Sequence, residues 1–149
     1  MASYATFECE TCGFTFEATG PHECLITTKN DEKQIEKLPH PGLSIANAIV
    51  VNGFCPDCGK DVECIVAEFE LPGNPWKQPL KLIKEEYRKN YSCFVKDHPK
   101  RKTVYTECFN DSSLRCPDCG KQILYHPSKE IICPQCEKGS FKVVSLFRT

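Results

Sequence analysis

The phrase Cys-Pro-Asp-Cys-Gly-Lys occurs twice in this chain, at residues 55–60 and again at 116–121. Two looser copies accompany it, Cys-Glu-Thr-Cys-Gly at 9–13 and Cys-Pro-Gln-Cys at 133–136. Two cysteines at this spacing form a tight knuckle that presents both sulfur atoms to one metal ion, and tetrahedral zinc takes four such ligands. Four knuckles therefore predict two structural zinc ions. The eight predicted ligands are Cys9, Cys12, Cys55, Cys58, Cys116, Cys119, Cys133 and Cys136.

The order of the knuckles along the chain suggests how they pair. The N-terminal pair of knuckles is separated by 42 residues and the C-terminal pair by 13. Because sequence order favours pairing within each half, we expect two sites of four cysteines each. The first would contain Cys9, Cys12, Cys55 and Cys58, and the second Cys116, Cys119, Cys133 and Cys136. Pairing across the two halves is the alternative.

The twelve cysteines also constrain the compartment. No signal peptide precedes the first knuckle and no apolar run is long enough for a membrane span, so we expect a reduced, cytoplasmic protein with no membrane association. A disulfide framework and redox-active Cys-x-x-Cys pairs are the alternatives to metal. Four cysteines lie outside the knuckles: Cys24, Cys64, Cys93 and Cys108. We expect Cys64 and Cys108 to be small buried side chains that act as apolar residues. A further metal site that uses some of these four cysteines is the alternative.

Charge is unevenly distributed along the chain although the formal net charge is only −1. Residues 1–76 hold 4 Lys or Arg against 12 Asp or Glu, whereas residues 77–102 hold 9 against 3. Any nucleic-acid binding must therefore come from the basic segment 77–102. Its candidate phosphate contacts are Lys81, Lys84, Arg88, Lys100, Arg101 and Lys102. The alternative is that this segment is a solvated helix, or docks on the acidic first half.

Hydrophobic periodicity predicts a small, metal-stabilised, mainly β protein with one or two short helices. We expect strands at 14–18, 43–51, 62–71, 103–109 and 141–147, with 20–21 breaking the first. Short helices are expected at 28–38 and 79–91. The predicted organisation is a zinc-ribbon-like unit over 1–72, a linker helix, basic loop and strand over 73–110, and a compact zinc ribbon over 111–149.

Residues 114–147 resemble the zinc ribbon, because two Cys-x-x-Cys knuckles flank a short hairpin and a closing strand follows. Residues 7–71 resemble bacterial proteins that are named for their Cys-Pro-x-Cys knuckles, although Glu10 stands where those proteins have proline. The longer knuckle spacing is also similar to the zinc domain of certain antitoxins, but no helix-turn-helix follows. The Cys-x-x-Cys-Gly knuckles are also similar to those of rubredoxin, which implies an iron-binding electron carrier as an alternative.

The sequence contains no catalytic constellation that we can identify. It has no His-Glu-x-x-His motif, no phosphate-binding glycine loop and no nucleophile elbow. Zinc sites with four thiolate ligands are closed and structural. We therefore expect a non-catalytic adaptor or regulator that docks on another macromolecule, most readily a protein. Nucleic-acid binding through 77–102 and electron transfer by iron are the alternatives.

Overall fold

In the computed structural model of the chain, the described residues form a single antiparallel sheet of six strands. The structure describes residues 3–39, 45–73, 80–88, 91, 114–127 and 130–148. The strands are β1 (Ser3–Cys9), β2 (Thr15–Lys29), β3 (Glu32–Lys37), β4 (Ala48–Cys55), β5 (Lys60–Glu68) and β6 (Phe141–Arg148). The order across the sheet is β5-β4-β2-β1-β6, with β3 paired to the far end of β2.

The main core lies on one face of this sheet. In β1, Ala5, Phe7 and Cys9 are buried and alternate with half-buried residues, which is the period of a strand covered on one face. The segment that follows residue 114 covers this face with side chains such as Leu114 and Tyr125. A smaller cluster of Cys24, Ile26, Ala48 and Val50 forms separately.

Strand β2 continues through residues 20–21, where the sequence predicted a break. Its pairing with β4 passes from Thr19↔Asn52 to His22↔Val50, so an extra residue of β2 is accommodated as a bulge. Gly20 has a φ of +121°, a conformation that glycine adopts without a steric penalty. The bulge lets the glycine and the proline bend the strand without ending it.

The polar helix predicted at 28–38 is wrong, because this stretch is a β-hairpin. Lys29 pairs with Glu32 across a two-residue turn in which Asn30 and Asp31 have φ values of 53° and 62°. Two consecutive positive φ values match the right-handed twist of the flanking strands. The Asn-Asp pair at residues 30–31 was thus a signal for a hairpin turn. The stretch contains few apolar residues, so their helix-like spacing was a misleading guide.

The single helix predicted at 79–91 is wrong: the described residues form two short 3₁₀ turns, Leu80–Leu82 and Glu85–Tyr87, and Arg88 and Tyr91 alone are α-helical among them. Between them, Ile83 forms a bridge with Phe69. Lys84 N–H donates to Glu68 O at 3.0 Å, and Glu70 N–H donates to Leu82 O at 3.0 Å. Because these backbone groups pair with the end of β5, they are not available for a continuous α-helix.

The closing strand predicted at 141–147 is confirmed as β6, which pairs with β1 of the N-terminal half. The segment before it contributes one bridge to the sheet, between Phe54 and Leu124. The strand predicted at 103–109 lies outside the described residues. The predicted fold class is confirmed: the protein is small and mainly β, with two four-cysteine clusters consistent with two zinc-ribbon-like units. Within the described residues no helix reaches seven residues.

Candidate metal centres

The four knuckles share one backbone geometry. In each, the N–H of the residue four positions after the first cysteine donates to that cysteine's carbonyl oxygen, at 2.9–3.1 Å. This residue has a positive φ in every knuckle: 78° at Gly13, 69° at Gly59, 75° at Gly120 and 59° at Glu137. A left-handed residue at this point turns the chain so that both thiols of a knuckle lie on the same side.

Backbone N–H groups also point at the sulfur atoms. Thr11 N–H donates to Cys9 Sγ, Cys58 N–H to Cys55 Sγ, and Gly139 N–H to Cys136 Sγ, each at 3.4 Å. Gln135 N–H makes the same contact with Cys133. Such donors stabilise a thiolate and so prepare the sulfur atoms to bind a cation.

The knuckles meet in pairs and form two clusters of four sulfur atoms. We call them centre A, formed by Cys9, Cys12, Cys133 and Cys136, and centre B, formed by Cys55, Cys58, Cys116 and Cys119. Within each centre the four sulfur atoms lie within 4.8 Å of one another.

The predicted pairing of knuckles is therefore wrong, although the predicted ligands fall in these two groups of four. Centre A joins the first knuckle to the last, and centre B joins the second to the third, so the pairing is nested. Antiparallel pairing of β1 with β6 places Cys9 opposite Phe141 and brings residues 133–136 beside the first knuckle. The bridge from Phe54 to Leu124 brings residues 116–119 beside the β4–β5 turn.

The sulfur separations fit a tetrahedral metal ion. Cys9 Sγ is 3.7 Å from Cys136 Sγ, and Cys12 Sγ is 3.7 Å from Cys133 Sγ. In centre B the corresponding distances are 3.5 Å for Cys55 to Cys119 and 3.9 Å for Cys58 to Cys116. A zinc ion with bonds of about 2.3 Å to four thiolates requires sulfur separations of about 3.8 Å, whereas a disulfide bond is about 2.05 Å long.

The pKa values of the cysteines in each cluster are split, so without a cation some thiols ionise and others stay protonated. In centre A, N–H groups of Lys138 and Gly139 lower the pKa of Cys136 to about 6, whereas neighbouring thiols and burial raise the pKa of Cys12 to about 12 against the opposing Phe14 N–H. In centre B, N–H groups of Cys119 and Asp118 outweigh burial and lower the pKa of Cys116 to about 7, whereas the pKa of Cys58 rises to about 12. Four adjacent thiolates repel one another, so only a bound cation lets all four ionise together at neutral pH.

The repeated hexapeptide has a structural role beyond its cysteines. Lys60 of one copy forms an ion pair with Asp118 of the other at 2.6 Å, and Lys121 forms one with Asp57 at 3.1 Å. Phe54 and Leu124, just outside the two copies, exchange both backbone hydrogen bonds, at 2.8 and 2.7 Å. The reciprocal ion pairs and the Cys55–Cys119 and Cys58–Cys116 contacts make centre B close to two-fold symmetric, whereas the Phe54–Leu124 bridge is not part of this symmetry. The identity of the two hexapeptides indicated this symmetry, but sequence reasoning missed it.

The cysteines outside the knuckles are buried where they are described. Cys24 is fully buried, and its thiol lies 3.5 Å from His22 O. Cys64 is buried as expected, and its thiol donates to Arg115 O at 3.3 Å. None of the ten described cysteines forms a disulfide bond. Cys93 and Cys108 lie outside the described residues.

The candidate nucleic-acid residues lie partly within the described chain. Lys84 forms an ion pair with Glu68 at 2.7 Å, and Arg88 forms one with Glu85 at 3.1 Å. Lys81 is exposed. The remaining three candidates, Lys100, Arg101 and Lys102, lie outside the described residues. The structure thus engages two of the three described candidates in intramolecular contacts.

Glu68 is a buried acid that sequence reasoning missed. Its side chain is 7% exposed and contacts both Lys33 at 3.0 Å and Lys84 at 2.7 Å. Lys33 also donates to Tyr87 Oη at 3.0 Å. This network joins the β2–β3 hairpin and the 3₁₀ turns to the end of β5. Because its members come from three distant segments, no local sequence pattern predicts it.

Comparison of the chain with protein-family models, with curated proteins and with solved structures finds no match. Among the helical residues that the structure describes, none belongs to a helix with the length and apolar character needed to cross a membrane.

Proposed function

We propose that this chain is a zinc-binding, non-catalytic adaptor or regulator that docks on a protein partner in the cytoplasm. Two structural Zn²⁺ ions would occupy centres A and B, each held by four thiolates. Closed four-thiolate sites leave no ligand position for a substrate or a water molecule, which favours a structural role over a catalytic one. The tetrahedral spacing of the sulfur atoms supports a metal ion with four thiolate ligands at each centre.

The observation that carries the docking proposal is the exposed apolar surface of β6. Four of its side chains are large, apolar and about half exposed: Val143 (52%), Val144 (48%), Leu146 (50%) and Phe147 (59%). Residues 142–147 are exposed on both faces of the strand. Strand β6 also lies at the end of the sheet order, with β1 as its one strand partner among the described residues.

An edge strand with these properties is suited to strand addition. Its outer backbone groups can pair with an extended segment of another protein, and its apolar side chains can pack against those of the added strand. Exposed apolar residues that cluster on one strand mark an interaction surface more clearly than the same residues scattered singly. We therefore infer that the partner supplies an extended, apolar segment to β6.

Protein binding is better supported than nucleic-acid binding because of the ion pairs already described. Lys84 and Arg88 each have an acidic partner within the chain, so phosphate binding would have to break those contacts. A nucleic-acid complex would also weaken steeply with salt, whereas an apolar strand contact would not.

The test is site-specific photo-crosslinking in cells. A photoreactive amino acid at Val144 should capture a defined partner protein, whereas the same group at Leu71, which is 58% exposed but lies outside the sheet, should not. The partner should then bind the purified chain in 0.5 M salt, a condition chosen to screen contacts to phosphates. Leu146→Lys should abolish binding and Leu71→Lys should leave it intact.

Two results would contradict the proposal. Capture from Leu71 and Val144 alike would show that β6 has no special role, and binding that disappears in salt would favour nucleic acid. Metal analysis of the purified protein completes the test, because two zinc ions per chain are expected. Iron in place of zinc, with a reversible redox signal, would favour the electron-carrier alternative.

A further inference from the structure

The two centres differ in the charges that surround them. In centre B, each ligand knuckle has an aspartate, and each aspartate is neutralised by a lysine of the opposite knuckle. In centre A, Glu10 follows Cys9 and Glu137 follows Cys136, and neither carboxylate forms an ion pair with a described residue. Ser140 Oγ donates to Glu10 at 3.3 Å, which does not neutralise the charge. Lys138 stands at the knuckle position that Lys60 and Lys121 hold in centre B but forms no ion pair with a described residue, so the knuckles of centre A carry two acids and one base. Because a metal ion with four thiolates carries a net charge of −2, the acids of centre A repel it.

Other features of the centres are closely matched. Both use two Cys-x-x-Cys knuckles with the same turn hydrogen bond and with backbone N–H donors to sulfur. Both have sulfur separations of 3.5–3.9 Å across the knuckles. The side-chain charges and the ion pairs between knuckles are therefore the main chemical difference. In centre B those ion pairs also hold the two knuckles together independently of the metal.

Centre A is connected directly to β6. Residues 137–140 link its last cysteine to Phe141, the first residue of the strand. Within this link, Gly139 O accepts from Cys133 N–H at 2.8 Å, and Ser140 O accepts from Glu10 N–H at 2.9 Å. Gly139 is in contact with the first knuckle, since a methyl group there would overlap Cys9 Sγ. A metal ion in centre A would thus fasten the start of β6 to the end of β1.

We propose that centre A is an exchangeable, regulatory metal site and that centre B is the retained, structural one. Loss of the ion from centre A releases the 133–136 knuckle from Cys9 and Cys12, and β6 then separates from β1 at its first residues. Loss of the ion from centre B is slower, because Lys60 and Lys121 hold its knuckles in place while the ion rebinds.

The biological consequence rests on the proposed docking function of β6. With the ion bound, β6 is held in register and its outer edge is available to a partner strand. Without it, the strand frays and the docking edge is lost. Occupancy of centre A by a divalent cation would therefore control partner binding, whereas centre B would maintain the fold under both conditions.

The experiment uses the full chain loaded with two equivalents of Zn²⁺. Release to a chromogenic chelator is followed by absorbance, and backbone amide exchange is followed by mass spectrometry on the same samples. We expect two phases of equal amplitude that differ at least about tenfold in rate, a ratio within reach of a few charge contacts beside a metal ion. Exchange in 141–148 should accelerate in step with the fast phase, while β4 and β5 stay protected.

Variants that keep all eight ligands identify the phases. Glu10→Gln combined with Glu137→Gln should slow the fast phase by at least about threefold, since it removes the two carboxylates that form no ion pair with a described residue. Lys60→Gln combined with Lys121→Gln should accelerate the slow phase instead. The matched control, Glu32→Gln combined with Glu36→Gln on β3, should change neither rate. Cys12→Ser combined with Cys136→Ser should retain one zinc ion per chain and lose the fast phase.

Three results would overturn the inference: a single release phase in wild-type protein, a fast phase that responds to the lysine variants, or β6 amides that stay protected after the fast ion has left. If the Cys→Ser variant fails to fold, the charge variants still decide the assignment. Failure of the docking proposal alone would look different, because metal release and β6 exchange would remain coupled while no partner is captured.

Discussion

Lys60 forms an ion pair with Asp118 at 2.6 Å, across the boundary between two knuckles that lie far apart in the chain. The reciprocal pair joins Lys121 to Asp57 at 3.1 Å. Four knuckles can be divided into two metal sites in three ways, and the hexapeptide at 55–60 is charge-complementary to its identical copy at 116–121. Neither of the other knuckles has both the aspartate and the lysine at these positions. The repeated hexapeptide therefore favours the pairing that forms centre B.

Exchanging the charges of Lys60 and Asp118 tests this role. Asp118→Lys alone should lower the free energy of unfolding, because it places two lysines together and leaves Lys60 unpaired. Adding Lys60→Asp should restore most of that loss, and a double-mutant cycle should show a favourable coupling free energy between the two positions. Urea unfolding of the zinc-loaded protein measures both. A double variant no more stable than Asp118→Lys would contradict the pairing role.

Gly139→Ala should disrupt centre A selectively. Its methyl group would overlap Cys9 Sγ and the Thr11 side chain, so the first knuckle must move away from the last. We expect zinc content to fall from two ions per chain toward one. Gly59→Ala is the control, because nothing lies within 4 Å of the added methyl group although φ is +69°. That variant should lose about 1 kcal/mol through backbone strain and keep both ions.

Glu137→Gly should stabilise the protein. Glu137 occupies the left-handed position, with a φ of 59°, that Gly13, Gly59 and Gly120 occupy in the other knuckles. Relief of this strain should raise the free energy of unfolding by up to about 1 kcal/mol. Chemical denaturation of the zinc-loaded form measures the gain. Equal or lower stability would show that the Glu137 side chain contributes more than the strain costs.

Glu68→Gln should destabilise the protein by about 1–2 kcal/mol, because it removes the charge that holds both Lys33 and Lys84 at a site 7% exposed. Amide exchange in 80–88 should increase at the same time. Glu85→Gln removes an exposed partner of Arg88 and should cost at most about 0.5 kcal/mol. Similar losses of stability from the two substitutions would mean that the buried Glu68 network stabilises the protein no more than an exposed ion pair does.

His22 should make the protein less stable in acid. Burial, with a smaller effect of Lys37, lowers the pKa of His22 to about 4, below its ordinary value of 6.5. The folded state therefore holds His22 neutral. The stability that this neutral side chain contributes is fully present above pH 6.5 and is lost as the pH falls toward 4. Between pH 7.5 and 5, wild type should lose up to about 2 kcal/mol more than His22→Gln. Parallel pH profiles for the two proteins would contradict this.

Much of the metal chemistry was readable from the sequence because it depends on local geometry. Two cysteines three positions apart, with a turn residue after them, define a knuckle wherever it occurs in the chain, and all four knuckles adopt the same turn. The alternation of buried residues that predicts strands is local as well, and it identified the regions of β5 and β6. These features depend only on the conformational preferences of residues that are close in sequence.

The helix predicted at 79–91 failed because tertiary contacts outweigh the local preference of its residues. The apolar residues of 79–91 suggested a helix, and Ile83 and Tyr91 are indeed buried. The backbone of Ile83 nevertheless bridges to Phe69, and its neighbours hydrogen-bond to the end of β5. Residues 28–38 failed for a different reason, since the turn at Asn30 and Asp31 was a local signal that the helical pattern obscured.

The sequence by itself determined that this chain holds eight clustered thiols in four knuckles on a mainly β framework. Only the tertiary structure decided which knuckles share a metal ion. Centre A closes a loop of 120 residues between its two knuckles, whereas the predicted C-terminal site would close a loop of 13. The longer loop costs only about 2 kcal/mol more, because the entropy lost on closing a loop grows with the logarithm of its length. Pairing of β1 with β6, the Phe54–Leu124 bridge and burial of the shared core outweigh a cost of that size. Distance along the chain is therefore a weak guide to metal-site pairing.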